Sequence, residues 1–351
     1  MTSVDKALPR EALPPATRET PGRAVPTYRQ PRALIAVWIV LALVPFVSPN
    51  SYVTGLVVTL LLNVMLLAGL NLVSGYTGQI SLCHAGFYGL GAYASGVLSV
   101  RLGTPPLVDL LAAVGVGVLV ALVVGMPTFR LRGHYLAMAT LGLNAIVSVL
   151  FVELVDLTGG PNGLSGIEPM SIAGFAFDTD RSFYWLCCAI TFAAMWAIYN
   201  LIHSRIGRAM VSLGNSETGA QASGVDTQRT KLVAFALSAG LAAAVGSLYG
   251  HYAGFISPES FSVSVSILLM VMVAVGGKGR FFGPLFGALV YTVVPEALRA
   301  IPDAELLIFG VAMVVVLTAF PAGIAGAGER VARRVFRVAG RDPKQGRTHG
   351  E

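Results

Sequence analysis

The polar side chains that interrupt the longest apolar runs of this chain are amides and an imidazole: Asn63, Asn71, His84 and Asn144, with Gln79 between two runs. These groups donate and accept hydrogen bonds, and they mark candidate positions along a passage through the molecule. They also suit hydrogen bonds between helices, worth roughly 1 kcal/mol each. Coupling to ions needs carboxylates or strong bases deep inside apolar segments. No Asp, Glu, Lys or Arg stands at the centre of any apolar run, and Asp109, Glu153 and Glu296 fall at run ends. The work of any uphill movement is therefore expected to come from another polypeptide.

Enzyme signatures fail in turn. Gly89-Leu90-Gly91 followed by Ala94 has the spacing of a dinucleotide turn, but it lies inside an apolar run with no strand before it. The GGKG at Gly276 to Gly279 lacks the earlier glycine and the hydroxyl residue of a phosphate loop. Five scattered histidines form no HExxH, and Gly163 to Gly166 is not a nucleophile elbow. Cys83, Cys187 and Cys188 all sit in apolar surroundings and read as small buried hydrophobes. No catalytic residue, metal site or cofactor is expected.

The elements that must position these groups follow from composition. With 55% hydrophobic and 12% charged residues and 40 glycines in 351, the chain departs far from soluble globular usage. Runs such as Val53 to Val73 are apolar on every side, which excludes the alternation of a transmembrane barrel. The expected fold is all-α, a polytopic transmembrane helical bundle of about ten spans. They lie near 33–47, 53–73, 82–100, 107–125, 135–155, 183–202, 231–253, 263–276, 282–298 and 304–320. The eighth is short enough to be a re-entrant or broken helix.

Lys and Arg concentrate in cytoplasmic loops. With the N-terminus inside, 21 of the 24 fall in alternate segments on one side, leaving Arg101, Arg181 and Arg299 outside. Both termini are thus expected in the cytoplasm. Residues 1–32 read as a mobile basic tail, 33–320 as the transmembrane domain and 321–351 as a second basic tail. No cleavable signal peptide is expected, since the first apolar run begins at Ala33. The net charge of +6 suits contact with anionic lipid heads and gives no reason to invoke nucleic acid.

Two loops stand out. The cytoplasmic loop 203–230 contains a short capped helix: Asn215 or Ser216 can cap it, Glu217 faces its positive end, and Gly224 can stop it in the left-handed conformation. Ala220 and Ala222 keep its surface low, as a docking point for a separate motor protein requires. The outer loop 156–182 is rich in Gly, Pro and Asn, with Asp156, Thr158, Gly159, Gly160, Asn162 and Gly163 at its start. It reads either as a seat for an external protein or as a rigid connector. In the seventh run, Ala234, Ser238, Ala242, Gly246 and Gly250 recur every fourth residue, the small-residue stripe of close helix contact in lipid.

Several ordered motifs between about Leu56 and Gly326 resemble one family. They include NLVSGYTGQISLCHAGFYGLGAY from Asn71, LRGHYLAMATLGL from Leu131, TGGPNGLSGI from Thr158 and GRAMVSLGNSETGAQASGV from Gly207. GGKGRFFGPLFGA from Gly276 and FPAGIAG from Phe320 continue the series. The chain resembles the membrane-spanning subunits of ATP-binding-cassette importers for branched-chain amino acids, the LivM-like member of the pair. The resemblance implies a location in the bacterial inner membrane and a non-enzymatic role. The partners it implies are a second, LivH-like permease, two cytoplasmic ATPase subunits and an extracytoplasmic substrate-binding protein. It places the ATPase contact on Gly207, Arg208, Glu217, Ala220, Ala222 and Gly224. Relatives importing urea, short amides or other amino acids share the architecture. A stand-alone secondary transporter or channel is the rival outside the family.

Overall fold

The structure, a computed structural model, describes residues 34–39, 41, 43, 50–131, 133–172, 174–298, 310–311, 313–315, 318 and 323–328. Its main helices are α1 (Ser51–Leu70), α2 (His84–Leu102), α3 (Pro106–Thr128), α4 (His134–Glu153) and α5 (Asp180–His203). They are followed by α6 (Arg205–Asn215), α7 (Glu217–Ala222), α8 (Thr227–Ala253), α9 (Val263–Gly276) and α10 (Gly283–Leu298). Among the described residues, five helices are long and apolar enough to cross a membrane. They are Ser51–Tyr76, which includes a π-helical end, Pro106–Thr128, His134–Glu153, Asp180–His203 and Thr227–Ala253.

The expected count of about ten spans is therefore met only in part. At 1.5 Å per residue, the 14 residues of α9 reach about 21 Å, short of the ~30 Å hydrocarbon layer. The 16 residues of α10 and the less apolar α2 also fall outside the five. The first and last expected spans lie largely outside the described residues, as do residues 1–32 and most of 321–351. Residues 323–328, placed in the tail by sequence, are helical, and Ala325 is buried.

α8 is the axis of the bundle, and its approach to α2 is backbone against backbone. A Cβ on Gly91 would fall on the main chain of Ala243, and one on Gly246 would fall on the Tyr88 carbonyl. On the α3 side, a Cβ on Gly117 would come within 2.6 Å of the Ala243 methyl. The small-residue stripe of α8 is buried along its length, as its spacing predicts. Lipid offers no hydrophobic drive between helices, so such contacts must supply the dispersion that holds them.

The helices expected near 53–73 and 82–100 are found within a few residues of those bounds, and the link between them runs at mid-bundle. α1 continues into a π-helical turn, Asn71–Tyr76, and then runs without regular structure through Thr77–Cys83 before α2 begins. His84, the first residue of α2, meets Leu66 of α1 and Ser238 of α8. Ser238 lies two residues from the middle of α8, so α2 starts at mid-height and the irregular segment climbs to it inside the bundle. Non-helical backbone at that depth survives only where protein or water satisfies it. Here side chains do part of that work: the Leu82 N–H donates to Thr140 Oγ1 at 3.0 Å, and the Ala85 N–H donates to Ser266 Oγ at 2.9 Å.

Two small antiparallel pairs dress the end expected to face outward: Leu164–Ser165 with Phe255–Ile256, and Ser171–Ile172 with Phe175–Ala176. They leave the class all-α.

Replacing Gly91 by Ala should lower the thermal midpoint of the detergent-solubilised protein, by the equivalent of about 1–3 kcal/mol of overpacking. Gly115→Ala, where an added Cβ meets nothing within 4 Å, should leave the midpoint unchanged or raised. Equal midpoints for the two variants would contradict the close α2–α8 contact.

Candidate functional site

On the side assigned to the cytoplasm, α6, α7 and the start of α8 form one folded unit. Ser204 caps α6, accepting from the Gly207 N–H at 3.3 Å. Gly207 is buried where a Cβ would strike the carbonyls of Leu201 and Ile202. Gly214 packs in the same manner on the Tyr76 carbonyl at the end of the π turn. Ser216 caps α7, accepting from the Gly219 N–H at 3.1 Å. Gly224 ends it at φ +79, while the Val225 N–H returns to the Ala220 carbonyl at 3.0 Å. Asp226 then caps α8 through the Arg229 N–H at 2.9 Å.

The six residues expected to meet an ATPase divide by orientation. Gly207 and Ala220 are buried supports, whereas Arg208, Ala222 and Gly224 are exposed. Glu217 turns back into the protein, where its Oε1 accepts from Lys231 Nζ at 2.8 Å. Lys231 is 3% exposed, so this ion pair ties α7 to α8 in a shielded setting. Sequence reading missed the pair because 14 residues separate its members. The outward surface of α7 is Thr218, Gly219, Gln221 and Ala222, all exposed and none bulky apart from the glutamine.

The five polar passage candidates do not gather into one site. Asn63 Nδ2 donates to Thr292 Oγ1 at 3.3 Å, a contact between α1 and α10. Asn71 closes the turn after α9: its Oδ1 accepts from the Gly279 N–H at 2.9 Å and its Nδ2 donates to the Arg280 carbonyl at 3.0 Å. Gln79 bonds locally to the Thr77 carbonyl at 3.3 Å. The His84 Nε2–H donates to the Leu66 carbonyl at 2.8 Å, which fixes the tautomer and leaves Nδ1 to accept from Ser238 Oγ at 3.4 Å. Asn144 differs: it is 0% exposed, and neither end of its amide has a partner.

At the outer end, the glycines of the 156–163 segment serve local geometry. Gly159, Gly160 and Gly163 all have positive φ, and a Cβ on Gly163 would meet the Ile256 carbonyl. Thr158 is buried and holds the turn by donating to the Phe151 carbonyl at 2.7 Å and accepting from the Gly160 N–H at 3.1 Å. Asp156 and Asn162 alone of the six named residues are fully outward. At the same end lies a buried polar cluster that no local motif announces. His251 Nδ1–H donates to the Glu168 carbonyl at 2.6 Å, and its Nε2 lies 2.9 Å from Ser95 Oγ and 3.8 Å from Asp109 Oδ2.

Residues 51–317 match the family model described as branched-chain amino acid transport system, permease component. This chain belongs to that permease family. The Escherichia coli K12 high-affinity branched-chain amino acid transport system permease protein LivM is 30% identical over 85% of this permease and 75% of its own length. A probable branched-chain amino acid transport permease protein LivM from Methanocaldococcus jannaschii is 24% identical over 68% of the chain and 77% of its own. The ribose import permease protein RbsC of Escherichia coli K12 is 26% identical over 74% and 82%. No solved structure matches this permease. Its relatives are membrane subunits of transporters, consistent with a non-enzymatic, multi-pass inner-membrane protein. Among the described residues, no His, Cys, Asp and Glu cluster could hold a metal ion.

Removing the carboxylate while keeping the shape, Glu217→Gln, leaves the buried Lys231 ammonium uncompensated, a change that costs about 3 kcal/mol in shielded pairs. Hydrogen exchange of the α7 amides should accelerate by tenfold or more, with α8 beyond Ala234 unaffected. Wild-type exchange across 217–224 would show that the pair does not hold α7.

Proposed function

We propose that this permease forms one wall of an ATP-driven, binding-protein-dependent importer for branched-chain or related small amino acids. In this reading it pairs with a LivH-like permease in the bacterial inner membrane, and two cytoplasmic ATPase subunits drive the complex. The observation that carries the reading is α7. It is a short helix capped at both ends, low on its outer surface, and joined by a shielded ion pair to α8. Gly207 and Arg208 belong to the supporting helix α6, Glu217 and Ala220 fix α7 in place, and Ala222 and Gly224 lie on the side a partner would meet.

A push on α7 passes through Glu217 and Lys231 into α8, and from α8 through glycine contacts into α2. The motion of a surface helix thereby reaches mid-height of the bundle without a flexible joint. ATP binding and the loaded binding protein would favour different arrangements of these helices, as two-state coupling requires. At the outer end, Asp156 and Asn162 present polar groups on a rigid glycine-built turn, suited to seat the binding protein. Urea, short amides and other amino acids are the alternative cargoes within the same architecture. A stand-alone secondary transporter or channel is disfavoured by the lack of carboxylates and strong bases at the span centres.

Ala222→Trp adds bulk on an exposed face and should leave membrane insertion at the wild-type level. Co-purification of the ATPase subunits and leucine uptake into proteoliposomes should both fall by tenfold or more. Wild-type ATPase association in this variant would move the contact elsewhere. Uptake by the isolated chain without ATP would overturn the importer reading altogether.

A further inference from the structure

Asn144 stands in the middle of α4 with both amide atoms unpartnered at 0% exposure. A buried amide without partners forfeits its hydration with nothing in return, so its retention calls for a reason. Its neighbours supply one. Asn144 lines a narrow crevice with Cys83, Gly86, Phe87, Leu90, Leu143 and Val147. A Cβ on Gly86 would lie 2.6 Å from Asn144 Oδ1, so the amide rests directly on the first turn of α2. The first four N–H groups of a helix lack intrahelical acceptors. In α2, Ala85 is served by Ser266 and Phe87 by the Cys83 carbonyl, which leaves the N–H groups of His84 and Gly86.

A helix that begins at mid-height directs its positive end at the core of the bundle, where it favours an anionic group. Asn144 can add a donor through Nδ2 and an acceptor through Oδ1, and the rest of the crevice is aliphatic or aromatic. α4 touches the bundle through one stripe, Leu136, Thr140, Asn144, Val147 and Phe151, while its other faces are largely exposed. It can therefore tilt away from α2 without disturbing the α2–α8 core. The crevice is too tight for a water molecule in this arrangement, so it must widen to accept anything.

The geometry points to the α2 start and Asn144 as a gated, mid-membrane binding position for a zwitterionic aliphatic amino acid. The carboxylate would meet the α2 amides and Asn144 Nδ2, the ammonium would meet Asn144 Oδ1, and the aliphatic side chain would lie along Leu90, Leu143 and Val147. This assignment rests on the importer reading and adds to it the place where cargo pauses.

The test uses the assembled transporter in proteoliposomes with leucine as the probe. Asn144→Leu keeps the volume and removes both polar atoms. Leucine uptake should fall by roughly tenfold or more at wild-type levels of assembled complex, the loss expected for hydrogen bonds to charged groups. A second measurement avoids dependence on that variant. In otherwise native protein, N-ethylmaleimide should modify Cys83 only during ATP turnover, and saturating leucine should slow the modification, with Cys83→Ser identifying the labelled position. Wild-type uptake in Asn144→Leu, or Cys83 labelling indifferent to leucine, would overturn the binding position. If wild-type uptake itself needs no ATP, the importer reading fails, while Cys83 labelling during that ATP-free uptake, slowed or not by leucine, still reports on the site.

Discussion

Everything in this bundle depends on how closely α8 can approach α2. In an environment as apolar as the side chains themselves, attraction between helices comes from contact at short range. Gly91 and Gly246 remove the side chains that would hold the two backbones apart. Once that seam is closed, α2 has one possible height, because His84 must bond both the Leu66 carbonyl and Ser238. The irregular climb through Thr77–Cys83 is the result, with hydroxyls of Thr140 and Ser266 standing in for absent helical partners.

A second consequence is that polar residues of one chemical type do different things. Asn71 acts as a piece of backbone, closing the Gly279–Arg280 turn with one donor and one acceptor. Asn63 bridges α1 and α10 through a single bond. Asn144 does neither. In the sequence these asparagines look alike, each alone in an apolar run, because only the neighbours brought by the fold distinguish a satisfied amide from an orphaned one.

The helical class was legible because apolar runs of membrane length admit few other structures, and the α8 stripe because its period matches the helix. Ser216 and Gly224 were legible as caps because local chemistry decides them. Long-range events left no trace in the sequence. Nothing near Glu217 announces Lys231, and nothing near His251 announces Asp109 or the Glu168 carbonyl. The mid-height start of α2 escaped notice for a related reason: only the height of its partners shows that the helix begins halfway. The glycines of 159–163 were legible as a turn, and the antiparallel pairing of Leu164 with Ile256 that anchors it was not.

The polar groups at mid-height are uncharged side chains and backbone ends, while Lys231 and Asp109 each lie near the start of their helix, away from its middle. Moving one elementary charge through the membrane potential is worth about 2.3 kcal/mol per 100 mV. Rocking α4 against α2 carries no net charge across that field, and a zwitterion adds none. In the proposed importer, voltage would therefore neither help nor hinder the stroke, and a cell with a collapsed potential but ample nucleotide would take up cargo through it as well as an energised one.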